Sequence, residues 1–134
     1  MKILLDTHVL IWSIMNMREL SVAAHKLIED YNNILYYSTV SVWEVAIKHR
    51  LRPNSIPCSG REFVDLCEAS DIYSLPLTNK HVVAFENLTR QDNAPAHKDP
   101  FDQVLISQAI AERMVFLTHD KTLQYYDGVE IRIV

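Results

Sequence analysis

The segment "PFDQVLISQAIAERMVFLTHD", residues 100–120, decides the fold class of this chain. Its first part, 100–113, has apolar residues at helical spacing, and "MVFLT" at 114–118 is a short apolar run. The first pattern predicts a helix, and the second predicts a buried strand. A helix that leads directly into a buried strand is typical of an α/β fold.

The same alternation of patterns extends outward to both ends of the chain. Strands are predicted at 2–6, 33–38, 71–77, 114–118 and 129–134. Helices are predicted at 21–31, 40–51, 61–70, 79–88, 100–113 and 121–126. Alternating elements of this kind imply an α/β fold with a mostly parallel sheet and helices on both faces. Ligands of such sheets bind outside the carboxyl ends of the strands, so functional residues are expected there.

The composition indicates one folded domain, 1–134, because 134 residues with 49% hydrophobic content suffice for a buried core. The two cysteines, Cys58 and Cys67, have no metal-binding spacing and are too few for a disulfide scaffold. This usage suggests a reducing compartment, so a cytoplasmic location is expected. The apolar start of the chain is interrupted by Asp6 and His8. Neither a signal peptide nor a membrane span is therefore predicted.

The charge of the chain does not favour a nucleic-acid binder, since the formal net charge is −4 and such proteins usually have a basic excess. A small basic patch, or carboxylates neutralised by bound cations, is compatible with the same total. Only two glycines, Gly60 and Gly128, occur in the chain. Phosphate-binding loops need several glycines, so the P-loop and the dinucleotide-binding motif are both excluded.

Four acidic residues fall near the predicted carboxyl edge of the sheet. Asp6 and Asp120 follow the first and the fourth predicted strands. Glu44 interrupts an apolar helix face, and Asp102 stands at the N-terminal end of another such face. The residues of these two faces are Val40, Glu44, Ile47 and Leu51, and Asp102, Ile106, Ala109 and Arg113. Structural roles remain open as alternatives: helix caps for Asp6 and Asp120, and a solvated position for Glu44.

Acids gathered at one sheet edge predict a particular chemistry. Neighbouring carboxylates raise one another's pKa and resist joint ionisation. A hard divalent cation removes this conflict, and oxygen ligands of this kind suit Mg²⁺ or Mn²⁺. Such a cation turns water into a nucleophile and stabilises the charge on a phosphoryl group. The pattern therefore predicts metal-dependent hydrolysis of a phosphate ester.

The stretch "HKDPFDQ", residues 97–103, contains two aspartates with different expected roles. Asp99 fits the N-cap of the following helix, and Pro100 fits its first position. Asp102 then falls third in the helix, which resembles a capping box. We expect Asp99 to be mainly the helix cap, with a role at the metal as the alternative. We expect Asp102 to be the catalytic acid.

Four blocks of the sequence, "LLDTHVLIW", "SVWEVAIK", "HKDPFDQVLISQA" and "FLTHDKTLQYY", resemble the PIN-domain family in their order and spacing. They are most similar to the VapC-type toxins of bacterial toxin–antitoxin pairs. The resemblance spans residues 2–134. It implies a PIN-like three-layer α/β/α fold with a mostly parallel central sheet.

The resemblance also implies a function. The chain is expected to be an endoribonuclease that uses Mg²⁺ or Mn²⁺ to hydrolyse phosphodiester bonds in single-stranded regions of tRNA, rRNA or mRNA. The family's catalytic acids fall on Asp6, Glu44, Asp102 and Asp120. Its metal ligands fall on Asp6, Asp102 and Asp120, with Asp99 as an additional acid and Thr118 as a supporting residue. Implied partners are a cognate antitoxin that blocks the site, and a second copy in a homodimer or a higher toxin–antitoxin assembly.

Other phosphate-handling folds fit the sequence less well. A haloacid-dehalogenase-type phosphatase needs a second Asp where His8 stands, and a receiver domain needs an Asp at the end of the third strand, which "DIYSLPLTNK" lacks. The pair His119–Asp120 lacks the further helical ligands of metal phosphohydrolases. A rival of another class is a catalytically silent PIN-fold binding module that acts through protein–protein contacts. The presence of all four acids favours the enzyme.

The remaining metal-prone and aromatic residues carry weaker signals. The six histidines form no HExxH or similar motif, so they are expected at the surface or in supporting positions. Trp12 and Trp43 lie in apolar helical stretches and are expected to make core or dimer contacts.

Overall fold

A five-stranded sheet forms the centre of the computed structural model, which describes residues Met1–Val134. The strands are β1 (Lys2–Leu5), β2 (Ile34–Ser38), β3 (Tyr73–Leu75), β4 (Val115–Thr118) and β5 (Ile131–Ile133). Their order in the sheet is β3-β2-β1-β4-β5, and every neighbouring pair is parallel. Each predicted strand segment contains one of these strands, which confirms the predicted parallel sheet.

Six α-helices connect and cover the strands. They are α1 (Thr7–Met15), α2 (Val22–Glu29), α3 (Thr39–Leu51), α4 (Gly60–Ala69), α5 (Asn79–Ala84) and α6 (Pro100–Glu112). Short 3-10 helices occupy Met17–Glu19, Pro53–Ser55, Phe85–Asn87 and Lys121–Tyr125, the last within the predicted helix 121–126. None of the helices combines the length and apolar character that crossing a membrane requires.

Helix α1 was expected only through the capping alternative for Asp6 and the apolar helical stretch around Trp12, and not from hydrophobic spacing. Its sequence, "THVLIWSIM", is apolar around most of the helix, so it lacks the polar face that identifies an amphipathic helix. The residues of its first turns are buried, including Val9 and Leu10. The helix begins immediately after Asp6, in agreement with the capping alternative for that residue.

Strand β1 separates two hydrophobic clusters on opposite faces of the sheet. Ile3 and Leu5 belong to one cluster, whereas Leu4 belongs to the other, as the alternation of side chains along a strand requires. All three side chains are fully buried. A strand that is covered on both faces explains the continuous apolar run of the sequence and confirms the three-layer arrangement.

The strand order creates a crevice at the carboxyl ends of β1 and β4. The chain proceeds from β1 outward through β2 to β3, then crosses to β4 and β5 on the other side of β1. A reversal of this kind is the point at which ligands bind in parallel α/β sheets. Strand β1 ends at Leu5 and β4 ends at Thr118, so Asp6 and Asp120 lie at the crevice.

Helices α3 and α6 direct their first turns toward the same edge. Helix α6 begins with Asp99 as N-cap and Pro100 at its first position, as predicted. On α3, the predicted apolar face is buried at Val40 but 73% exposed at Leu51. The apolar face therefore ends within the helix, because its last turn is rich in basic residues that remain hydrated and favour a helix C-terminus.

Candidate acidic metal site

Asp6 is a buried carboxylate held by two short hydrogen bonds. The backbone N–H of Thr7 donates to Oδ1 at 2.7 Å, and the hydroxyl of Thr118 donates to Oδ2 at 2.6 Å. Burial raises the pKa of Asp6 above its ordinary value, although both hydrogen bonds act to lower it. Asp6 is thus the N-cap of α1 and also a buried acid at the carboxyl end of β1.

Thr118 connects the two strand ends that flank the crevice. Its hydroxyl donates to Asp6 and accepts the backbone N–H of Asp120 at 3.1 Å. The side chain is completely buried. One hydroxyl thus contacts both the carboxylate of Asp6 and the backbone of Asp120, and the supporting role that the resemblance implies for Thr118 stays a prediction.

Asp120 caps the 3-10 helix that follows β4. Its Oδ1 accepts the backbone N–H of Thr122 at 2.9 Å and the Thr122 hydroxyl at 2.7 Å. Both bonds use one oxygen, which leaves Oδ2 for a ligand. Partial burial acts to raise the pKa of Asp120, but the Thr122 bonds and the nearby His97 and His119 hold it below its ordinary value. The carboxylate is thus kept ionised.

Glu44 is buried, which excludes the solvated position that was the alternative role for this residue. Its Oε1 accepts the Thr7 hydroxyl at 2.9 Å, and its Oε2 lies 2.7 Å from Lys48 Nζ one turn along α3. The Thr7 hydroxyl is also 2.9 Å from Ser41 Oγ. Sequence reasoning did not single out Thr7, Ser41 or Lys48. The four-residue spacing of Glu44 and Lys48 was the one available signal.

Asp102 lies in the first turn of α6, where the charges of the other acids affect its pKa. Burial, followed by the charges of neighbouring carboxylates, raises its pKa to about 8. Those carboxylates are Asp6, Asp99, Glu44 and Asp120. Because the electrostatic effect of a charge falls with distance, each of these carboxylates lies in the surroundings of Asp102.

His97 completes this group and was not singled out from the sequence. Its Nε2 lies 3.4 Å from Asp102 Oδ2, and its side chain is only 8% exposed. One potential ligand atom from each of His97, Asp102 and Asp120 lies within 4.8 Å of the other two. The sequence offers no histidine metal motif that would have identified His97, since it lies in a polar loop just before α6.

The family model of the PIN domain matches residues 3–129 of this chain. The chain belongs to the PIN domain family. The match includes β2, β3, β4, nearly all of β1, all six α-helices and all four acids described above, and it ends before β5. No curated protein sequence is similar enough to be named as a relative.

Several solved structures share the fold of this PIN domain. VapBC2 from Rickettsia felis, bound to a DNA fragment from its promoter, matches with a TM-score of 0.73 at 15% identity. DNA-bound VapBC from Salmonella typhimurium matches with 0.66 at 15%, and VapBC-1 from nontypeable Haemophilus influenzae with 0.65 at 13%. Each match covers 99% of this chain and 98% of the other chain. At these identities the similarity establishes the fold.

The predicted site residues of the PIN domain differ in their contacts and in their exposure. Asp102 and Asp120 face His97 with potential ligand atoms, whereas the two oxygens of Asp6 accept hydrogen bonds from Thr118 and Thr7. Asp99 is exposed, and its Oδ1 accepts the Phe101 backbone N–H at 2.9 Å as the helix cap. The donor set of carboxylate oxygens with one neighbouring imidazole fits a divalent cation, whose charge would stabilise the ionised form of Asp102 against burial and against the neighbouring carboxylates.

Proposed function

We propose that this PIN domain is a metal-dependent endoribonuclease that hydrolyses phosphodiester bonds in single-stranded regions of tRNA, rRNA or mRNA. The observation that carries the proposal is the convergence of acids from β1, α3, α6 and the end of β4 on one crevice. Burial and, after it, the charges of the neighbouring acids raise the pKa of Asp102 to about 8. A family whose members use such a crevice for hydrolysis supports the assignment.

The acids of the crevice would have different roles at the metal. Asp102 and the free oxygen of Asp120 would hold Mg²⁺ or Mn²⁺, and Asp6 would complete the negative field from a position locked by Thr118. When bound, the cation supplies an activated water and stabilises the charge on the phosphoryl group. Asp99, at the helix entrance, would have an outer role at the metal besides capping α6.

Glu44 contributes to the crevice in another way. Its two oxygens are occupied by Thr7 and Lys48, so the carboxylate is held in a fixed position. Glu44 would therefore supply a fixed negative charge that helps to hold the cation and the attacking water close to Asp102. It would not need to move during the reaction.

We also propose that the chain is the toxin of a toxin–antitoxin pair. Three solved structures with the same fold are VapBC complexes. A cognate antitoxin would present a basic side chain to the acidic crevice, with arginine favoured because its guanidinium pairs bidentately with a carboxylate. A structure of the complex in which the antitoxin approaches neither Asp6 nor Asp102 would refute this arrangement.

The enzyme proposal is tested by incubating the purified protein with single-stranded RNA in Mg²⁺, in Mn²⁺ and in excess chelator. We expect cleavage with either cation and none with chelator. Full activity in chelator would overturn metal dependence. A folded, cation-binding protein that cleaves no RNA but binds an antitoxin would instead favour the silent binding module.

A further inference from the structure

His97 is a buried histidine aimed at the acidic crevice from a loop that carries no other site residue. The loop between Asn87 and Asp99 runs on the surface, yet the His97 side chain is only 8% exposed. Its Nε2 lies 3.4 Å from Asp102 Oδ2 and belongs with Asp102 and Asp120 to the compact group of potential ligand atoms. Nε2 therefore faces the position where a cation held by the two aspartates would lie.

The orientation of the His97 ring is determined from its other side. Nδ1 lies 2.8 Å from the hydroxyl of Tyr126, and the two rings pack edge to face at 5.7 Å between centroids. Gln103 Nε2 donates to the Tyr126 hydroxyl at 3.4 Å and to the His97 backbone carbonyl at 3.3 Å. Tyr126 is itself 4% exposed. These contacts prevent the ring from turning away from the acids.

This arrangement is the one that metal-binding histidines share in proteins. A ligating imidazole directs one nitrogen at the cation and hydrogen-bonds the other to a fixed partner, which sets the tautomer and the ring plane. The Tyr126 hydroxyl can accept a proton carried on Nδ1, and in that tautomer Nε2 would present its lone pair to the crevice. Two nearby carboxylates supply the oxygen ligands.

We propose that His97 is a direct nitrogen ligand, so that His97, Asp102 and Asp120 form a mixed nitrogen–oxygen site that prefers Mn²⁺ to Mg²⁺. The inference rests on the proposed function and names which cation that site selects. Mg²⁺ favours an octahedral set of oxygens and retains its waters. Imidazole nitrogen instead raises affinity for transition-metal cations, in the order that begins with Mn²⁺ and increases along the row.

Pulsed electron paramagnetic resonance of the Mn²⁺-loaded chain tests the ligand directly, because a coordinated imidazole nitrogen produces a characteristic nitrogen coupling. We expect this coupling in the wild-type protein and its loss in His97→Gln. The matched control is His119→Gln, since His119 is adjacent to Asp120 but directs its Nδ1 at the Val134 carbonyl at 2.7 Å. Bound Mn²⁺ without nitrogen coupling in the wild-type protein would overturn the inference, whether or not the variants fold.

Calorimetric titration with Mn²⁺ and Mg²⁺ measures the selectivity. His97→Gln should lower Mn²⁺ affinity by about tenfold or more, since changes in the surroundings of a ligand already cost about 10–100-fold. Mg²⁺ affinity should fall much less. Tyr126→Phe should weaken Mn²⁺ binding while the nitrogen coupling persists, because the ring loses its fixed orientation but keeps its ligand atom. An unchanged Mn²⁺ to Mg²⁺ ratio in folded His97→Gln would contradict the proposal.

RNA cleavage measured on the same samples separates this inference from the proposed function. Nitrogen coupling without cleavage would retain His97 as a ligand and remove the nuclease assignment. Cleavage without nitrogen coupling would retain the nuclease and remove His97 from the metal. The spectroscopic signal thus does not depend on the activity of the loaded protein.

Discussion

Capping and metal binding are compatible roles for a single aspartate in this protein. Asp120 uses Oδ1 alone to cap the helix that follows it, and its Oδ2 remains available to a ligand. Asp99 caps α6 with Oδ1 in the same way. Because a carboxylate has two oxygens with several acceptor positions, the local reason for an aspartate at a helix start does not exclude a functional one.

Asp102 and Asp99 should respond to substitution in opposite ways. Asp102→Asn preserves shape and removes the charge that faces His97 and Asp120, so RNA cleavage should be lost with little change in stability. Asp99→Ala removes the hydrogen bond to the Phe101 N–H, so the free energy of unfolding should fall by about 1 kcal/mol with measurable activity retained. Cleavage assays and thermal melts of both variants provide the comparison.

One pair of results would contradict the roles assigned to Asp99 and Asp102. An inactive Asp99→Ala together with an active Asp102→Asn would mean that the roles are reversed. Asp99→Asn is the matched control, because asparagine is also a good N-cap and should retain most of the stability that alanine loses.

At the scale of elements, His81 connects α5 to the C-terminal end of α6. The side chain is 1% exposed, and its Nδ1 accepts the Thr78 backbone N–H at 3.1 Å. Its Nε2 therefore carries a proton and donates to Glu112 Oε1 at 2.8 Å. This buried ring holds the short helix α5 against α6, whose other end presents Asp102 to the crevice.

The contact between His81 and Glu112 should make stability depend on pH. Its hydrogen bond lowers the pKa of Glu112 below the ordinary 4.5. The ionised carboxylate therefore stabilises the fold above the unfolded pKa, and this contribution is lost as the pH falls through the lower, folded value. Glu112→Gln should remove that part of the acid-induced loss. Thermal melts between about pH 3 and 7 measure the difference.

The exposed Glu86 provides the control for this pH experiment, because it lies near α5 without a hydrogen bond or ion pair to His81. Glu86→Gln should follow the wild-type pH dependence. If Glu112→Gln follows it as well, the His81 contact does not contribute to acid sensitivity.

The meeting of β1, β4, α3 and α6 at one edge should make stability depend on divalent cations. A cation that binds the native acids and not the unfolded chain stabilises the fold by about 2.7 kcal/mol at a hundredfold excess over its Kd. Melts at low salt should therefore shift upward with Mg²⁺ or Mn²⁺. Asp102→Asn should lose most of this shift. Without metal and above about pH 8, where Asp102 is ionised, the variant should melt no lower than the wild-type protein, since a repelling charge is removed.

Two results would contradict a cation site at this edge. One is an unchanged melting midpoint of the wild-type protein at millimolar metal. The other is an equal upward shift in Asp102→Asn, which would place the stabilising cation elsewhere on the surface.

At the scale of the whole molecule, an apolar groove remains on the surface between α3, α5 and α6. This α3–α6 groove has a volume of about 240 Å³ and is lined by Val40, Trp43, Leu77, Val82, Pro100, Phe101 and Val104. Trp43 packs edge to face on Phe101 at 5.2 Å but is 58% exposed. Of the two expected roles of Trp43, a core contact is excluded and a dimer contact remains, whereas Trp12 packs against a core cluster. Exposed apolar patches of this kind mark protein contacts.

We expect a second copy of the chain to cover the α3–α6 groove in a homodimer. Trp43→Glu should shift the protein to a monomer, because burying a charge in an apolar interface is unfavourable. Light scattering after size-exclusion chromatography measures the mass. Leu51→Glu is the control: Leu51 lies on the same helix, is 73% exposed and does not line the groove. A monomeric wild-type protein, or equal effects of both substitutions, would refute this interface.

The five strands, five of the six α-helices and the parallel sheet followed from the sequence alone, and the sequence also proposed the acids. Hydrophobic spacing is a local property, so 100–113 and 114–118 identify their own helix and strand. The segment "DPFD" likewise predicts its own cap and first turn. Helix α1 escaped this reasoning because its almost uniformly apolar sequence has no period to detect.

Only the tertiary structure decided which side chains meet at the crevice. Thr118 and Asp6 are 112 positions apart in the chain, and His97 and Tyr126 are 29 apart. Such contacts depend on which strands become neighbours and on where each loop returns, and neither is encoded in a local pattern. The acids could be proposed from residue type, strand ends and helix faces, but the histidine beside Asp102 became visible only when the chain was folded.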